Sequence, residues 1–329
     1  MIFTNNDSGY ETAIEFKKNG VNPLILDTRK EPSSDIITEA KNLGIEIKYS
    51  YVVVAAKGYK KVKSADIAKI SDNKKDLSNI ENIECDCICV SGFWTPSIHL
   101  ASQSGNKSEF NEKIDAFIPK KSKQKENTIG SANGKFTLEE TINEAFDKGY
   151  EVSNKITENN NKVSIPTVVE KKSTEHDKFW CVPLPKGKSY KRFLDFQNDV
   201  AVTDIELALR EGFRSIEHVK RYTTLGMATD QGKTSNLNGL QLVSDIENKV
   251  VPQVGHTTFR PPYTPVSIGA IVGREVGKHS KPTRKSPMHE WHEKNNAVFV
   301  DAGVWLRPRY YKQGNETLFE ASKREAKNV

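Results

Sequence analysis

The sequence contains no run of the ~18–20 consecutive apolar residues that a membrane-spanning helix requires. Its longest apolar stretch, around residues 51–56, is of strand length, which argues against a membrane protein. Cysteine is equally scarce. Four thiols in 329 residues cannot build a disulfide framework. Three of them, Cys85, Cys87 and Cys89, alternate along an apparent strand, so they are expected on one buried face as small hydrophobes. No fourth ligand stands at a familiar spacing, and no metal site is expected. Residues 1–7 lack the basic segment and apolar core of a secretory leader. A reduced, cytoplasmic protein is the expectation. Charge of one sign is also missing: 49 basic residues face 43 acidic ones, a net +6. The lysine clusters at 120–125 and 278–285 do not concentrate it into the basic face of a nucleic-acid binder. With 36% apolar residues and a mean hydropathy of −0.62, the chain is globular with much Lys/Asn-rich surface.

What is present begins with a β–α–β rhythm. Residues 1–5 form a strand, and residues 9–19 carry Tyr10, Ala13, Ile14 and Phe16 at helical spacing before Gly20. Residues 23–27 form the next strand, the start of a doubly wound α/β unit in which Asp27 stands where a ribose-binding carboxylate would. The turn at 5–9 keeps only Gly9 of the three glycines that a dinucleotide fingerprint uses, so it is expected to hold no nucleotide. A helix at 34–43, strands at 45–56 and 60–67 and a strand at 85–90 follow. The last breaks at Ser91-Gly92 into an apolar helix, placing a tight turn at the sheet's carboxyl edge, where ligands bind. Residues 129–137 pass through small residues into a helix at 138–148, whose free amides favour an anion or simply cap the helix. The polar stretch 151–180 lacks periodicity and reads as a linker or insertion.

Residues 203–206 form a capping box that opens a helix running to Arg210, with Gly212 as its stop. A second helix starts at Ser215 with Ile216, Val219 and Tyr222 on its apolar face. The following segment, 223–235, is dense in hydroxyls and glycine around Lys233, which suits a phosphate. Its Gly-Lys-Thr ending is not that of an NTPase: five residues separate Gly226 from Gly232 and the preceding element is helical. Residues 257–265 are stiffened by three prolines and hold Arg260 on a short lever, for an anion or for backbone carbonyls at a domain junction. No catalytic acid or base stands out; His218 and His256 read as structural.

FLDFQNDVAVTDIELALREGFRSIEHVKRYTTLGMATDQGKTSN (residues 193–236) and TTFRPPYTPVSIGA (257–270) closely resemble the α subunit of heterotetrameric sarcosine oxidase. The likeness extends through TNNDSGY, CVSGFWTPSIHLASQSG and GSANGKFTLEE. FVDAGVWLRPRYY resembles the opening of that subunit's aminomethyltransferase-like, folate-binding domain. The resemblance implies oxidative demethylation of sarcosine to glycine by four unlike subunits. A β partner carries FAD and covalent FMN, γ and δ subunits complete the complex, electrons pass to oxygen, and NAD and tetrahydrofolate bind the complete α subunit. No nucleic acid or membrane partner is implied.

That resemblance assigns FMN contact to Thr224, Gln231, Gly232, Lys233, Thr234, Thr258 and Arg260. It assigns a residual NAD site to Ser131, Gly134, Phe136 and Thr137, with binding of NAD and folate doubtful because most of both pockets lies outside the sequence. The helical pair resembles a ferredoxin-like module that holds a two-iron, two-sulfur cluster in related amine dehydrogenases. Asp195, Gln197, Asp230 and Ser235 stand at the ligand positions here, so no iron–sulfur cluster is expected. The fold expected is therefore α/β: a partial, Rossmann-like FAD/NAD-binding domain of the disulfide-oxidoreductase type (1–150), then a linker or insertion (151–186). The small helical module without its cluster ligands (187–245), a connector (246–297) and the start of a folate-binding domain (298–329) follow. The subunit is expected to be partial and inactive alone. The competing expectation is a non-catalytic scaffold or remnant subunit of a related amine-oxidising flavoprotein complex.

Overall fold

A computed structural model describes residues 1–157, 164–168, 175–274, 277 and 282–328. The polar stretches at 159–161 and 170–174, and the lysines at 278 and 281, lie outside the described residues. The chain divides into two units, residues 1–265 and 266–329.

The first unit opens with β1 (Ile2–Thr4), α1 (Ser8–Lys18), β2 (Leu24–Asp27), α2 (Asp35–Asn42) and β3 (Glu46–Tyr49). Tyr10, Ala13 and Ile14 recur at helical spacing and bury one face of α1. Phe16 stays at the half-exposed rim, and Gly20, at φ +82°, turns the chain back. β1, β2 and β3 pair in parallel. The expected strand at 45–56 is two strands: Ser50, at φ +58°, breaks the run and sends its second half into another sheet. That sheet is β4 (Tyr51–Gly58), β5 (Val62–Ile70) and β6 (Leu77–Glu84), antiparallel throughout. β7 (Cys89–Ser91) then returns beside β1, completing the parallel order β3-β2-β1-β7.

The expectation of one buried cysteine face fails. Residues 85–88 belong to no strand, so alternation does not hold there. Cys85 packs with the cluster around Leu26, Ala65 and Ile67, Cys89 with that around Ile2, Tyr10 and Ile25, and Cys87 is exposed.

α3 (His99–Gln103) follows, then the β8 (Ser108–Asn111) and β9 (Ala116–Pro119) hairpin and a 3-10 turn at Gly130–Asn133. α4 (Leu138–Thr157) runs well past residue 148 and carries helix into the expected linker, with Lys148 and Lys155 bracketing Glu151 at 2.7 Å each.

The helical part comprises β10 (Phe193–Asp195), β11 (Val200–Ala201), α5 (Val202–Arg210), α6 (Ile216–Thr223), α7 (Asn236–Glu247) and α8 (Val251–Val254). α5 is capped two residues earlier than the capping box implied, at Ala201 rather than Thr203. Asp204, rather than Glu206, closes its start, accepting the Ala201 N–H at 2.7 Å. The α6 face is Ile216, Val219 and the stem of Lys220; Tyr222 is exposed and donates to Glu211. The core of this part runs from Leu194 to Val251, and Phe110 and Phe117 of the β8–β9 hairpin pack against it. It is one body with the α/β part.

The second unit contains α9 (Ile268–Val272), β12 (Arg284–Lys285), α10 (His289–Lys294), β13 (Ala297–Ala302), β14 (Trp305–Tyr311) and α11 (Leu318–Lys327), with sheet order β12-β14-β13. Thr317 and Glu320 form a reciprocal cap on α11. No helix among the described residues is long and apolar enough to cross a membrane.

Candidate functional site

A cavity of about 740 Å³ opens in the first unit at the carboxyl edge of the parallel sheet. Its floor is Phe3 and Thr4 at the end of β1 with Asn5 just beyond, Thr28 after β2, and Ser91 at the end of β7. Its walls are strongly aromatic, with Phe93, Trp94, Phe179, Trp180, Phe196 and Phe259 all contributing. The turn at 91–96 lies here, as its position at the sheet edge suggested. The aromatic wall itself went unread in the sequence. The signal was there, in Phe93-Trp94 and Phe179-Trp180, two aromatic pairs outside any periodic apolar segment.

The sheet edge nearest α1 is closed by charge. Asp27, fully buried, accepts from Arg29 at 2.8 Å and from the Tyr10 hydroxyl at 2.7 Å. Arg29 also reaches Asp7 at 2.8 Å. Burial, reinforced by the Asp27 carboxylate, pushes the Tyr10 phenol up and keeps it a donor. The carboxylate that could have bound a ribose is thus held within the fold.

The loop from Thr224 to Ser235 supplies another wall. Gly232, Lys233 and Thr234 line the cavity. The Lys233 ammonium lies 4.3 Å from the centre of the Tyr263 ring and donates to the Tyr263 carbonyl. Among the described residues it pairs with no carboxylate. Asp230 organises the loop by accepting the Gly232 N–H and the Thr234 hydroxyl, both at 3.1 Å. Gly226 and Gly232 take positive φ, and the Asn236 side chain fills the space a Cβ would need at either.

The other four residues expected around FMN do not line the cavity. Thr224 caps α6 in the left-handed region, and its hydroxyl donates to the Thr223 carbonyl. The Gln231 carbonyl meets His99 Nε2 at 3.1 Å. Thr258 donates its N–H to Glu217, and its carbonyl accepts from Lys220 at 3.2 Å. Arg260 is exposed, and its charge adds to the burial that depresses the Lys220 amine. His99, almost wholly buried, stacks on Phe259 at 3.8 Å. Burial lowers its pKa against the raising effect of the Gln231 carbonyl, and Lys233 lowers it further. His256 borders the cavity beside Phe117.

None of the four residues expected to retain an NAD site lines the cavity either. Ser131 sits in the 3-10 turn and Gly134, at φ +79°, packs where a Cβ would strike Ile114. Thr137 accepts the Glu140 N–H at the start of α4, and Phe136 meets the cavity residue Phe93 edge-on at 5.7 Å.

Three of the four positions aligned with cluster ligands carry side-chain hydrogen bonds. Asp195 accepts the Gly226 N–H at 2.8 Å, Gln197 accepts from Thr229 at 2.9 Å, and Asp230 shapes its own loop as above. Ser235 is fully buried behind them. No group of three or more His, Cys, Asp or Glu among the described residues could hold a metal ion.

Residues 189–274 match the family model of the sarcosine oxidase A3 domain. Over its whole length the chain is 35% identical to sarcosine oxidase subunit alpha of Rhizobium meliloti (strain 1021), covering 32% of that protein. The chain is similar to sarcosine oxidase subunit alpha along its whole length. It is also 33% identical over its whole length to the Corynebacterium sp. (strain U-96) subunit, of which it covers 34%. The chain thus spans about a third of the length of these sarcosine oxidase subunits. Among solved structures, L-proline dehydrogenase from P. horikoshii matches 77% of this chain and 50% of its own, at 20% identity and a TM-score of 0.45. The A3 match spans Thr224 through Arg260, the stretch holding all seven residues expected at FMN, whereas Ser131 through Thr137 precede it.

Proposed function

We propose that this chain forms one side of an FMN site in a sarcosine oxidase-type complex, a flavin-bearing β subunit forming the other. The observation that carries this reading is Lys233: a partly buried ammonium, without a carboxylate partner among the described residues, on the wall of an aromatic cavity. An unpaired cation there favours an anion such as a flavin phosphate. A cavity of about 740 Å³ is in the range of cofactor sites.

Gly232, Lys233 and Thr234 would hold the phosphate end, and Phe93, Trp94 and Phe259 would enclose the ring and exclude water. Thr224, Gln231, Thr258 and Arg260 border this group, and those that are exposed would face the partner. FMN, when bound, would supply electron transfer toward dioxygen. His99, kept neutral by burial, holds the Gln231 carbonyl and with it the shape of the Lys233 loop. In this reading a flavin on the partner would supply the oxidation of sarcosine on the way to glycine, tetrahydrofolate would take up the one-carbon unit, and γ and δ subunits would complete the assembly. Ser131, Gly134, Phe136 and Thr137 would retain the edge of an NAD site beside Phe93. The chain needs its partner for activity, and no iron–sulfur cluster takes part.

Co-expression with a β subunit tests this. The complex should be yellow, and with a β subunit whose covalent flavin attachment is blocked, Lys233→Ala should weaken binding of added FMN by about one to two decades, equivalent to roughly 1.5–3 kcal/mol. Unchanged FMN affinity would end the assignment. A second reading, a non-catalytic scaffold or remnant subunit, is favoured by Asp230, which already takes the Gly232 and Thr234 donors. It predicts a complex that assembles without FMN on this chain and is insensitive to Lys233.

A further inference from the structure

We propose that Cys87 and Cys89 form a reversible thiol–disulfide site oxidised by hydrogen peroxide. Their Sγ atoms lie 3.8 Å apart, in contact, and Cys87 is exposed to solvent whereas Cys89 is partly buried. A bond requires closure to ~2.05 Å, and the local backbone leaves room for it. β6 ends at Glu84 and β7 begins at Cys89, so Cys87 lies between ladders and is the residue that must adjust while Cys89 stays paired with Ile2. The other two thiols are otherwise engaged. Cys85 packs against the Leu26 cluster, and Cys181 accepts from Arg192 at 3.2 Å.

The exposures set the order of events. The Cys87 thiolate attacks one peroxide oxygen, the O–O bond breaks, and the departing hydroxide takes a proton to leave as water, giving a Cys87 sulfenic acid. Cys89 sulfur then displaces the sulfenic hydroxyl, a second water leaves, and the Sγ–Sγ bond forms. Two thiols lose two electrons and two protons, and one hydrogen peroxide is reduced. Burial, with the neighbouring Cys87 thiol adding to it, raises the Cys89 pKa, which suits the second thiol rather than the first. Two-electron reduction of dioxygen, the acceptor in the proposed reaction, releases hydrogen peroxide. The site itself depends only on the thiol geometry. It lies immediately before Val90, Ser91 and Phe93 of the cavity wall.

The test uses the full chain carrying Cys85→Ser and Cys181→Ser, which leaves only the two thiols in question, treated with hydrogen peroxide. The expected result is a monomer lighter by two hydrogens, with both thiols lost to alkylation and recovered by dithiothreitol. Adding Cys89→Ser should arrest oxidation at a sulfenic acid on Cys87 that dimedone traps. Peptide mapping of the oxidised wild-type chain guards against a folding defect in the variant and should show the same Cys87–Cys89 link. A link to Cys85 or Cys181, a bridge between chains, oxygen addition without hydrogen loss, or thiols that stay titratable would each overturn the proposal.

Discussion

At the residue scale, two side chains show how this sheet edge is held. Arg29 neutralises Asp27, which is fully buried, and Asp7. Replacing it by methionine strands a carboxylate in the interior, and breaking a buried pair from one side costs about 3–5 kcal/mol. Arg29→Met should therefore lower the unfolding free energy obtained from urea titration at neutral pH by that amount, while leaving cavity residues on the Lys233 side in place. Gly232 makes the complementary point. An alanine there must adopt φ +72° with its methyl 2.2 Å from the Asn236 amide oxygen. Backbone strain alone contributes roughly 1–3 kcal/mol. Gly232→Ala should lower thermal stability and also weaken FMN, because the adjoining Lys233 moves with the loop; unchanged melting would refute the conformational argument.

At the element scale, α5 shows a helix start read two residues late. Residues 203–206 satisfy the pattern, but Val202 is already helical and it is Asp204 that closes the Ala201 N–H. The register is decided by burial: Val202, Ile205 and Leu209 all face the core, and starting the helix later would release Val202 from it. Asp204→Ala should cost about 1 kcal/mol in equilibrium unfolding, the ordinary magnitude of an N-terminal cap, and Glu206→Ala should cost little. β3 and β4 teach the same lesson. An alternating pattern over residues 45–56 promised one strand, whereas the positive φ at Ser50 lets its halves serve a parallel and an antiparallel sheet. Nothing in the run marks the break, because serine is not the residue usually chosen for that backbone region.

Across the first unit as a whole, His99 ties together parts distant in sequence. It leads α3, meets the Gln231 carbonyl and stacks on Phe259. Its pKa lies below 6.5 in the folded chain, principally through burial. The unfolded chain thus binds more protons just below pH 6.5, and stability falls as pH drops through that window toward the folded pKa. Above pH 6.5 the contribution is fully present. His99→Gln should flatten that slope in unfolding measurements between pH 7 and the folded pKa; an unaltered slope would refute the assignment. The common core of the helical part and the β8–β9 hairpin likewise explains why residues 187–245 do not stand alone.

The first βαβ winding, α2, the paired helices α5 and α6 and the glycine–lysine loop were all legible along the chain. Each is written in short-range terms: helical or strand periodicity, a stop at Gly20, or a dense set of phosphate-type donors. The aromatic cavity, the burial of Asp27 by Arg29 and Tyr10, and the joining of His99 to Gln231 were not. They depend on which residues meet across the fold, and the chain carries no local mark of that. Sequence spacing likewise put three cysteines on one face, where only the break between β6 and β7 could decide that two face different cores and the third faces water. Period and turn chemistry act within a few residues. Which buried groups find partners is settled only when the sheets, helices and loops pack.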